Sequence, residues 1–403
     1  MKPAPVLRCS ACGTTHSYDP FLVLCPDCRD PLGPDYPSRK RTIRADRALP
    51  LERYLEFLPL DDIDPTHSLG EGRTPLLSLR SFGPDAGGAR VLVKNEAANP
   101  TASFKDRGTA VVVQKAKALG LRRIGTVSTG NMAASTAAYA ARAGLDAVIL
   151  VKGDTTPEKI KAVAVYAPLL IRVEGDYGEL FDRSLALGRK HGIYFANSVD
   201  PVRVEGYKLT VFEIFEELGG RLPRCIVVPV SSGGHFLGLA RACLDLREAG
   251  LIPRLPILAG VQASGCAPLA RAFQENRSRW ERFPAPRTIA HAISNPTPPG
   301  GNAVLRFVRE NGGLIVDVAD EAMIEAQRRL ASDEGLFALP DSATVAAALP
   351  EISRRVRLTA EDTVVLIVTG SGLKNLEDLD LSRARTLSLP LAELDRALSP
   401  AGD

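Results

Sequence analysis

One lysine in this sequence stands where it could act as a nucleophile. Lys105 lies in the stretch NPTASFKDRG (99–108), between an aromatic residue and an acid, and Pro100 disfavours a helix before it. A lysine amine becomes nucleophilic when burial or nearby cations lower its pKa, or when a carbonyl cofactor captures it. The alternative interpretation of Lys105 is a solvated surface charge.

Four loops rich in glycine and hydroxyl side chains supply groups that could bind a ligand. They are STGN (128–131), NSVDPVR (197–203), SSGGHFLG (231–238) and TGSGLK (369–374). The third opens a predicted helix, so its backbone N–H groups and the helix dipole suit an anion. Arg203, in the second, could hold a carboxylate or phosphate with two hydrogen bonds. A tight turn, a helix cap and a solvated arginine are the structural alternatives.

Lys105 and the glycine loop together suit one cofactor chemistry. The five histidines form no legible Ser-His-Asp or metal-binding pattern, and the loop matches neither GxGxxG nor the Walker pattern. A lysine that holds an aldehyde and a loop that holds a phosphate are what pyridoxal phosphate requires of a protein. The residues are therefore compatible with a pyridoxal-phosphate site.

A second chemical feature lies at the N-terminus, where four cysteines form two CxxC pairs with twelve residues between them. They are Cys9, Cys12, Cys25 and Cys28. This spacing predicts a structural zinc site, because each pair closes a turn and four thiolates fill a tetrahedral ion. The metal would supply the folding energy that so short a segment lacks; a reduced, metal-free tail is the alternative. Cys225, Cys243 and Cys266 are expected to be buried and inert.

The composition predicts a soluble, cytoplasmic protein of two or three domains. The 403 residues carry 50 basic and 47 acidic side chains, a net charge of +3, which disfavours nucleic acid or a membrane surface as main partner. No apolar run approaches the roughly 20 residues of a membrane span, and the N-terminus lacks a secretory signal. The basic segment 36–50 is predicted to be a solvated linker, with a nucleic-acid arm as the alternative.

The elements that must position these residues follow an α/β pattern. Predicted strands are 123–129, 147–153, 225–231, 256–263, 314–320 and 364–370, together with LLIRVEG and IYFANS, and predicted helices include 131–143, 156–166 and 177–191. Apolar strands that alternate with helices indicate a parallel sheet covered on both faces. Ligands of such sheets bind at the carboxyl ends of the strands, where the four loops lie.

From residue 70 to residue 375 the chain resembles the fold type II pyridoxal-phosphate enzymes, the tryptophan synthase β superfamily, and among them the threonine synthases. The blocks that carry the resemblance, in order, are GEGRTPL, KNEAANPTASFKDRG, STGNMAASTAAYAARAG, FANSVDPVRVEGYK, PVSSGGHFLG, GVQASGCAPL, TIAHAIS, EGLFALPDSATVAAAL and VTGSGLK. The four-cysteine head resembles the zinc-ribbon-like extension of many threonine synthases.

The resemblance implies two three-layer α/β/α domains behind a zinc ribbon. The head would span 1–35, a large cofactor-binding domain 36–121 and 209–375, a smaller inserted domain 122–208, and a C-terminal extension 376–403. It also implies a small-molecule amino-acid substrate and a homodimer, with no nucleic-acid or membrane partner.

The resemblance further implies roles for individual residues. Lys105 would form the Schiff base and move protons. The other cofactor contacts would be Phe104, Asn131, Ser231, Ser232, Gly233, Gly234, His235 and, facing the pyridine nitrogen, Thr369. The substrate contacts would be Ser128, Thr129, Asn197, Ser198 and Arg203.

The implied reaction converts O-phospho-L-homoserine and water to L-threonine and phosphate by γ-elimination and β-addition. This chain departs from the family pattern at Met132, Ser232, His235, Ser371 and Asn375. Because Met132 and Ser232 fall where the family grips the substrate's phosphate, the alternatives are a serine/threonine dehydratase or a phosphoserine-dependent β-replacement enzyme such as a cysteate synthase. An alternative of another class is a nucleic-acid-binding or regulatory protein on an inactive enzyme scaffold.

Overall fold

The computed structural model describes residues 6–35, 41–153, 155, 157–175, 177–376 and 388–393. Its strands are β1 (Val6–Cys9), β2 (Thr15–Ser17), β3 (Leu32–Asp35), β4 (Leu76–Ser78), β5 (Arg90–Asn95), β6 (Arg123–Val127), β7 (Asp146–Lys152), β8 (Leu169–Val173), β9 (Ile193–Phe195), β10 (Cys225–Pro229), β11 (Ile257–Ala263), β12 (Leu314–Val318) and β13 (Thr363–Val368). Its α-helices are α1 (Pro50–Arg53), α2 (Lys105–Ala118), α3 (Asn131–Arg142), α4 (Pro157–Ala164), α5 (Tyr177–His191), α6 (Pro201–Gly206), α7 (Leu209–Glu217), α8 (Gly234–Glu248), α9 (Pro268–Gln274), α10 (Gly301–Glu310), α11 (Asp320–Glu334), α12 (Pro340–Ala347) and α13 (Leu349–Val356).

The larger sheet has six strands in the order β12-β11-β10-β13-β5-β4. All neighbours are parallel except β4, which runs antiparallel to β5 at one edge. Alternate residues of β10 enter two separate apolar cores: Ile226 and Val228 pack with α7 and α8, whereas Cys225 and Val227 pack with α12 and α13. Helices therefore cover both faces, which explains why these strands are apolar along their whole length.

The smaller sheet has four parallel strands in the order β8-β7-β6-β9. On one face, Ile149 of β7 joins the core shared with α3. On the other face, Val148 and Leu150 pack against Leu180 of α5. The loops after β6 and β9 carry the STGN and NSVDPVR segments, at the carboxyl ends of their strands.

The N-terminal head, residues 6–35, is a three-stranded antiparallel sheet in the order β2-β1-β3. Each CxxC pair lies in a tight turn: the N–H of Gly13 donates to the Cys9 carbonyl at 3.0 Å, and that of Arg29 donates to the Cys25 carbonyl at 2.9 Å. Both donors adopt the left-handed conformation, with φ of 78° and 61°. These turns bring the two pairs of thiols to one point.

The α/β prediction is confirmed, and the predicted strands differ from the observed ones mainly at their ends. Predicted helix 131–143 ends at Arg142, because the chain turns there. Among the described residues no helix is long and apolar enough to cross a membrane. The division into segments 36–121, 122–208 and 209–375 remains a prediction.

The segment 36–50 is predicted to be a solvated linker, but its described part, residues 41–50, contacts the domain. Arg41 forms an ion pair with Asp245 at 2.9 Å, and Ile43 packs on the main core. Pro50 then begins α1. Residues 41–50 therefore pack partly on the domain, because Arg41 and Arg44 form ion pairs with carboxylates there. Residues 36–40, like most of the predicted extension 376–403, lie outside the described residues.

Candidate active site

Lys105 is the first residue of α2, and backbone hydrogen bonds fix its position. The N–H of Phe104 donates to the carbonyl of Thr369 at 3.1 Å, and Ser103 pairs with Gly370 in an isolated bridge. The Lys105 amine lies 4.2 Å from the centre of the Phe104 ring and 5.9 Å from that of Tyr207. The loop after β13 therefore holds the lysine beside two aromatic rings.

The surroundings of Lys105 favour its neutral form. Burial lowers the pKa of its amine, the positive charge of Arg203 lowers it further, and the carboxyl of Asp341 opposes both; the result is a pKa of about 7. Burial likewise raises the pKa of Asp341 to about 6. A lysine with this pKa is half neutral near pH 7, as a nucleophile or a general base must be.

In the glycine loop after β10, the backbone lies very close to that of the loop containing Ser198. Gly233 precedes α8 in the left-handed conformation, with φ of 95°. A side-chain carbon on Gly234 would lie 1.9 Å from the carbonyl oxygen of Ser198, so only glycine fits there. Ser231 and Ser232 are half-buried at the start of the loop. The N-terminus of a fifteen-residue helix thus faces the loop, where an anion is favoured.

His235, the second residue of α8, is a buried imidazole without hydrogen-bond partners in the described part of the chain. Its ring is 7% exposed, and neither Nδ1 nor Nε2 is paired. It stacks on Phe104 with ring centres 3.8 Å apart and planes at 14°. Burial, with smaller contributions from Lys105 and Arg107, holds the pKa of His235 well below its ordinary value, so the ring is neutral.

Thr369 and Asn131 approach Lys105 from two other elements. The Thr369 hydroxyl lies 2.8 Å from that of Ser342, at the start of α12. Asn131 begins α3, and its Oδ1 accepts a hydrogen bond from Lys374 at 2.7 Å. Because an ammonium group can only donate, this bond turns the amide NH₂ of Asn131 away from Lys374. That NH₂ group is then available to a ligand oxygen.

A cavity of about 680 Å³ is lined by two of the predicted cofactor and substrate residues, Ser198 and Ser232, but not by Lys105. The Ser232 hydroxyl accepts a hydrogen bond from the amide of Asn295 at 2.8 Å. Ser128 and Thr129 are half-buried in the loop after β6, where the Ser128 hydroxyl accepts the N–H of Gly130 at 3.2 Å. Met132 is buried on α3.

Asn197 is fully buried, and its side chain is bonded inside the protein. Its Oδ1 accepts the N–H of Val127 at 2.9 Å, and its amide donates to Ser184 at 3.0 Å. The structure therefore uses Asn197 to tie β6, α5 and β9 together, rather than presenting it to a ligand.

Arg203 is also fully buried, with all three guanidinium nitrogens in hydrogen bonds. They donate to Ala196, Thr109 and Thr136 at 2.7, 2.8 and 3.2 Å. The guanidinium has more N–H groups than these bonds use. Its positive charge also lowers the pKa of the Lys105 amine.

Sequence reasoning missed four residues of this site: Tyr207, Asp341, Ser342 and Lys374. Tyr207 occurs in the quoted block FANSVDPVRVEGYK and Asp341 in EGLFALPDSATVAAAL. The signal for Asp341 is an acid next to Ser342 within an otherwise apolar segment. No local pattern indicates that Tyr207 faces Lys105.

The four cysteines of the head form one cluster, with sulfur ligand atoms within 4.8 Å of one another. Cys9 and Cys28 sulfurs lie 3.4 Å apart, and Cys12 lies 3.7 Å from Cys25. Thiolates that share a tetrahedral zinc at about 2.3 Å are separated by about 3.8 Å. The donor set and spacing therefore fit a four-coordinate metal.

The residues around Lys105 have the chemistry that pyridoxal phosphate requires, as the four cysteines have the chemistry that zinc requires. An amine with a lowered pKa suits the aldehyde. The start of α8, where Gly234 leaves no room for a side chain, suits the phosphate. The unpaired buried nitrogens of His235 are polar groups still lacking a partner. Thr369 offers a neutral hydroxyl, which lies 2.8 Å from that of Ser342.

Comparisons with known proteins identify the family. Residues 67–370 match the family of pyridoxal-phosphate dependent enzymes. The chain is 35% identical over 375 residues to threonine synthase of Methanocaldococcus jannaschii, covering 91% of this chain and 92% of the relative. It is 35% identical to threonine synthase of Halalkalibacterium halodurans, with coverage of 81% and 89%.

Solved structures show the same fold. The crystal structure of T.th. threonine deaminase aligns with a TM-score of 0.61 and 26% identity, covering 79% of this chain and 94% of that one. Maize serine racemase aligns with a TM-score of 0.64 and 20% identity over 77% and 90% of the two chains. This chain belongs to the fold type II pyridoxal-phosphate-dependent enzymes, as a threonine synthase-like lyase.

Proposed function

We propose that the protein converts O-phospho-L-homoserine and water to L-threonine and phosphate. The observation that carries the proposal is Lys105, an amine with a pKa of about 7 held beside a glycine loop that opens a helix. The relatives named threonine synthase, at 32–35% identity over most of the chain, support the choice of substrate.

Pyridoxal phosphate, when bound, supplies the electron sink that stabilises negative charge at the substrate's α carbon. Lys105 would hold its aldehyde, and the loop from Ser231 to His235 would hold its phosphate through backbone N–H groups. Asn131 would offer its free NH₂ to an oxygen of the cofactor, Phe104 would pack beside its ring, and Thr369 would offer a neutral hydroxyl to its ring nitrogen. His235 would gain the hydrogen-bond partner that its buried nitrogens lack.

The chain's own groups would then move protons and hold the substrate. Lys105 takes the proton from Cα in its neutral form and later returns it there. Loss of a Cβ proton would accompany departure of the γ-phosphate. Cγ would then take up a proton to become the methyl group, and water would supply the hydroxyl at Cβ and the proton returned to solvent. Ser128, Thr129 and Ser198 would bind the substrate's charged groups, with Arg203 contributing its remaining N–H groups and its charge. Asn197 would act by holding the loop between Ser198 and Arg203 in place.

The first test is the visible spectrum of the purified protein. A lysine-bound cofactor absorbs near about 410–430 nm, and we expect Lys105→Ala to lose that band while keeping the circular dichroism of the wild type. A wild-type protein that shows no such band after incubation with the cofactor would contradict the proposal at its base.

The second test separates the alternatives that Met132, Ser232 and His235 leave open. O-phospho-L-homoserine, O-phospho-L-serine, L-threonine and L-serine are supplied in turn, and phosphate and oxo acid are measured. The proposal expects phosphate release to be fastest from O-phospho-L-homoserine. Oxo-acid formation from threonine or serine, without phosphate release from O-phospho-L-homoserine, would indicate a dehydratase. Turnover of O-phosphoserine with a second nucleophile would indicate β-replacement.

We also propose that the four cysteines bind zinc and that the enzyme is a homodimer. The thiol spacing supports the first part. Metal analysis should give one zinc per chain, and light scattering should give twice the 43.1 kDa chain mass. A metal-free or monomeric active enzyme would contradict the respective part.

A further inference from the structure

The cysteine head contacts both sheets of the enzyme. Toward α5, beside the smaller sheet, Arg29 pairs with Asp182 at 2.7 Å, and Asp19 pairs with Arg189 at 2.6 Å. Toward α10, on the larger sheet, Asp30 pairs with Arg306 at 2.7 Å. Asp30 is buried, so its pairing with Arg306 is far less screened than the two exposed pairs.

An apolar contact joins the CxxC turns of the head to the candidate active site. Val23, two residues before Cys25, is 2% exposed and packs in one cluster with Phe181 and Val199. Val199 directly follows Ser198, whose carbonyl oxygen presses against Gly234 at the start of α8. A shift of Val23 would therefore be transmitted through a tightly packed contact to the glycine loop.

The same region connects to the glycine loop by a second route. The side chain of Val199 would lie 3.2 Å from a carbon added to Gly300, so this side chain packs closely against the Gly300 backbone. The N–H of Gly300 donates to the carbonyl of Ser232 at 2.9 Å. Asn295, from the same segment, donates to the Ser232 hydroxyl.

The head also forms one wall of the 680 Å³ cavity that contains Ser198 and Ser232. Its contributions are Leu24, Asp27, Cys28, Arg29 and Asp30. Other parts of its lining include Trp280, Asn295 and Asn302. The cavity thus lies between a metal-dependent segment and the loop proposed to hold a phosphate.

We propose that the four-cysteine head is a working part of the substrate site: its metal holds the outer wall of the substrate cavity and, through Val23 and Val199, the position of the glycine loop. Lys105 does not line this cavity, whereas Ser198 and Ser232 do. The cavity would therefore take the anionic side-chain end of the amino-acid substrate of the proposed function, on which this inference rests. Metal loss would then weaken substrate binding. The cofactor would stay attached through Lys105, which lies on a different element from the head, although the glycine loop proposed to hold its phosphate would shift.

The chain carries its own reporter for a test. Trp280 is the only tryptophan in the 403 residues, and it lines the cavity that the head also lines. The metal is removed from the holoenzyme with a chelator under reducing conditions, and the visible cofactor band is checked. We expect Trp280 emission to move to longer wavelength as water reaches the cavity, and the Kd for O-phospho-L-homoserine to rise about tenfold. Restored zinc should reverse both changes.

Substitutions keep the test decisive if the metal-free protein unfolds. Val23→Ala and Arg306→Met loosen the head while all four cysteines remain, and we expect both to shift Trp280 emission and raise Kd at full metal content. Val356→Ala on α13 is the matched control, since it truncates a buried valine of another core, and it should change neither.

The outcomes distinguish this inference from the proposed function. If metal removal and both substitutions leave Trp280 emission and substrate Kd unchanged, the head is only an appendage and the inference is overturned. If the metal-loaded wild type does not bind O-phospho-L-homoserine at all, the proposed function fails. In that case a Trp280 shift on metal removal would still support the head as a cavity wall.

Discussion

At the scale of single residues, the chemistry depends on the charge of Lys105. The amine lies among the rings of Phe104 and Tyr207, where its charged form loses hydration, and Arg203 repels that form further. Arg203 is itself held away from solvent by Thr109 and Thr136. One buried arginine therefore helps to keep the lysine partly neutral.

This arrangement predicts how the rate at which the cofactor-free protein binds pyridoxal phosphate depends on pH. Because only the neutral amine attacks an aldehyde, the rate of pyridoxal-phosphate capture should rise with pH to a midpoint near the Lys105 pKa of about 7. The absorbance of the protein-bound cofactor is recorded in stopped flow between about pH 5.5 and about pH 9, a working range on both sides of that midpoint. A midpoint near the ordinary lysine value of about 10.4 would contradict the account.

At the scale of elements, the site depends on how closely α8 begins beside the loop after β9. Gly234 has no room for a side chain because the Ser198 carbonyl oxygen occupies the position. Two loops from different sheets therefore meet backbone to backbone.

We predict that Gly234→Ala weakens the cofactor's hold by separating these loops. The added carbon must displace Ser198 or the start of α8, so we expect a fall in pyridoxal-phosphate affinity of about tenfold or more, with a cost of about 1–3 kcal/mol in stability. Equilibrium dialysis and thermal unfolding measure the two effects. Gly83→Ala is the control, because its nearest neighbour would be 3.9 Å away. Equal cofactor affinity in both variants would refute the prediction.

At the scale of the whole molecule, a buried ion network joins elements on both sides of the site. Arg107 of α2 donates to Glu213 of α7 at 2.7 Å and to Glu96 at 2.6 Å. Lys94 of β5 adds a bond to Glu213 at 2.9 Å. Burial raises the pKa of Glu213, but Arg107 and Lys94 outweigh it and hold that pKa at about 2.

The lowered pKa of Glu213 predicts acid sensitivity with a definite sign. A carboxyl whose folded-state pKa lies below its unfolded value stabilises the fold above about pH 4.5, and that contribution is lost as the pH falls toward about 2. At about pH 3 the loss from this group should be about 2 kcal/mol. In Glu213→Gln the midpoint of urea unfolding should be lower at pH 7, and its further fall at pH 3 should be smaller than in the wild type.

The exposed carboxyl of Glu361 provides the control for that measurement. Glu361→Gln, in the turn before β13, should follow the wild-type acid dependence. If Glu213→Gln lost stability between pH 7 and pH 3 as steeply as Glu361→Gln does, Glu213 would not be the group responsible.

Local pattern was enough to predict the strands and loops, since runs such as CIVVPV are apolar on both faces and the glycine loop follows one of them. It was not enough for residues whose role comes from distant partners. The sequence indicates Arg203 and Asn197 as ligand-binding groups, but it does not show that Thr109, Thr136 and Ser184 also bond them inside the protein. The position of Tyr207 beside Lys105 likewise depends on packing between α2 and α6, which no local pattern encodes.

The most direct test of the central claim is the fate of a labelled oxygen. O-phospho-L-homoserine is incubated with the enzyme in ¹⁸O water, and the products are identified by mass spectrometry. The account predicts equal amounts of L-threonine and phosphate, with the label in the β-hydroxyl of threonine and neither product formed by Lys105→Ala. Labelled phosphate with unlabelled homoserine, or an oxo acid in place of threonine, would contradict it.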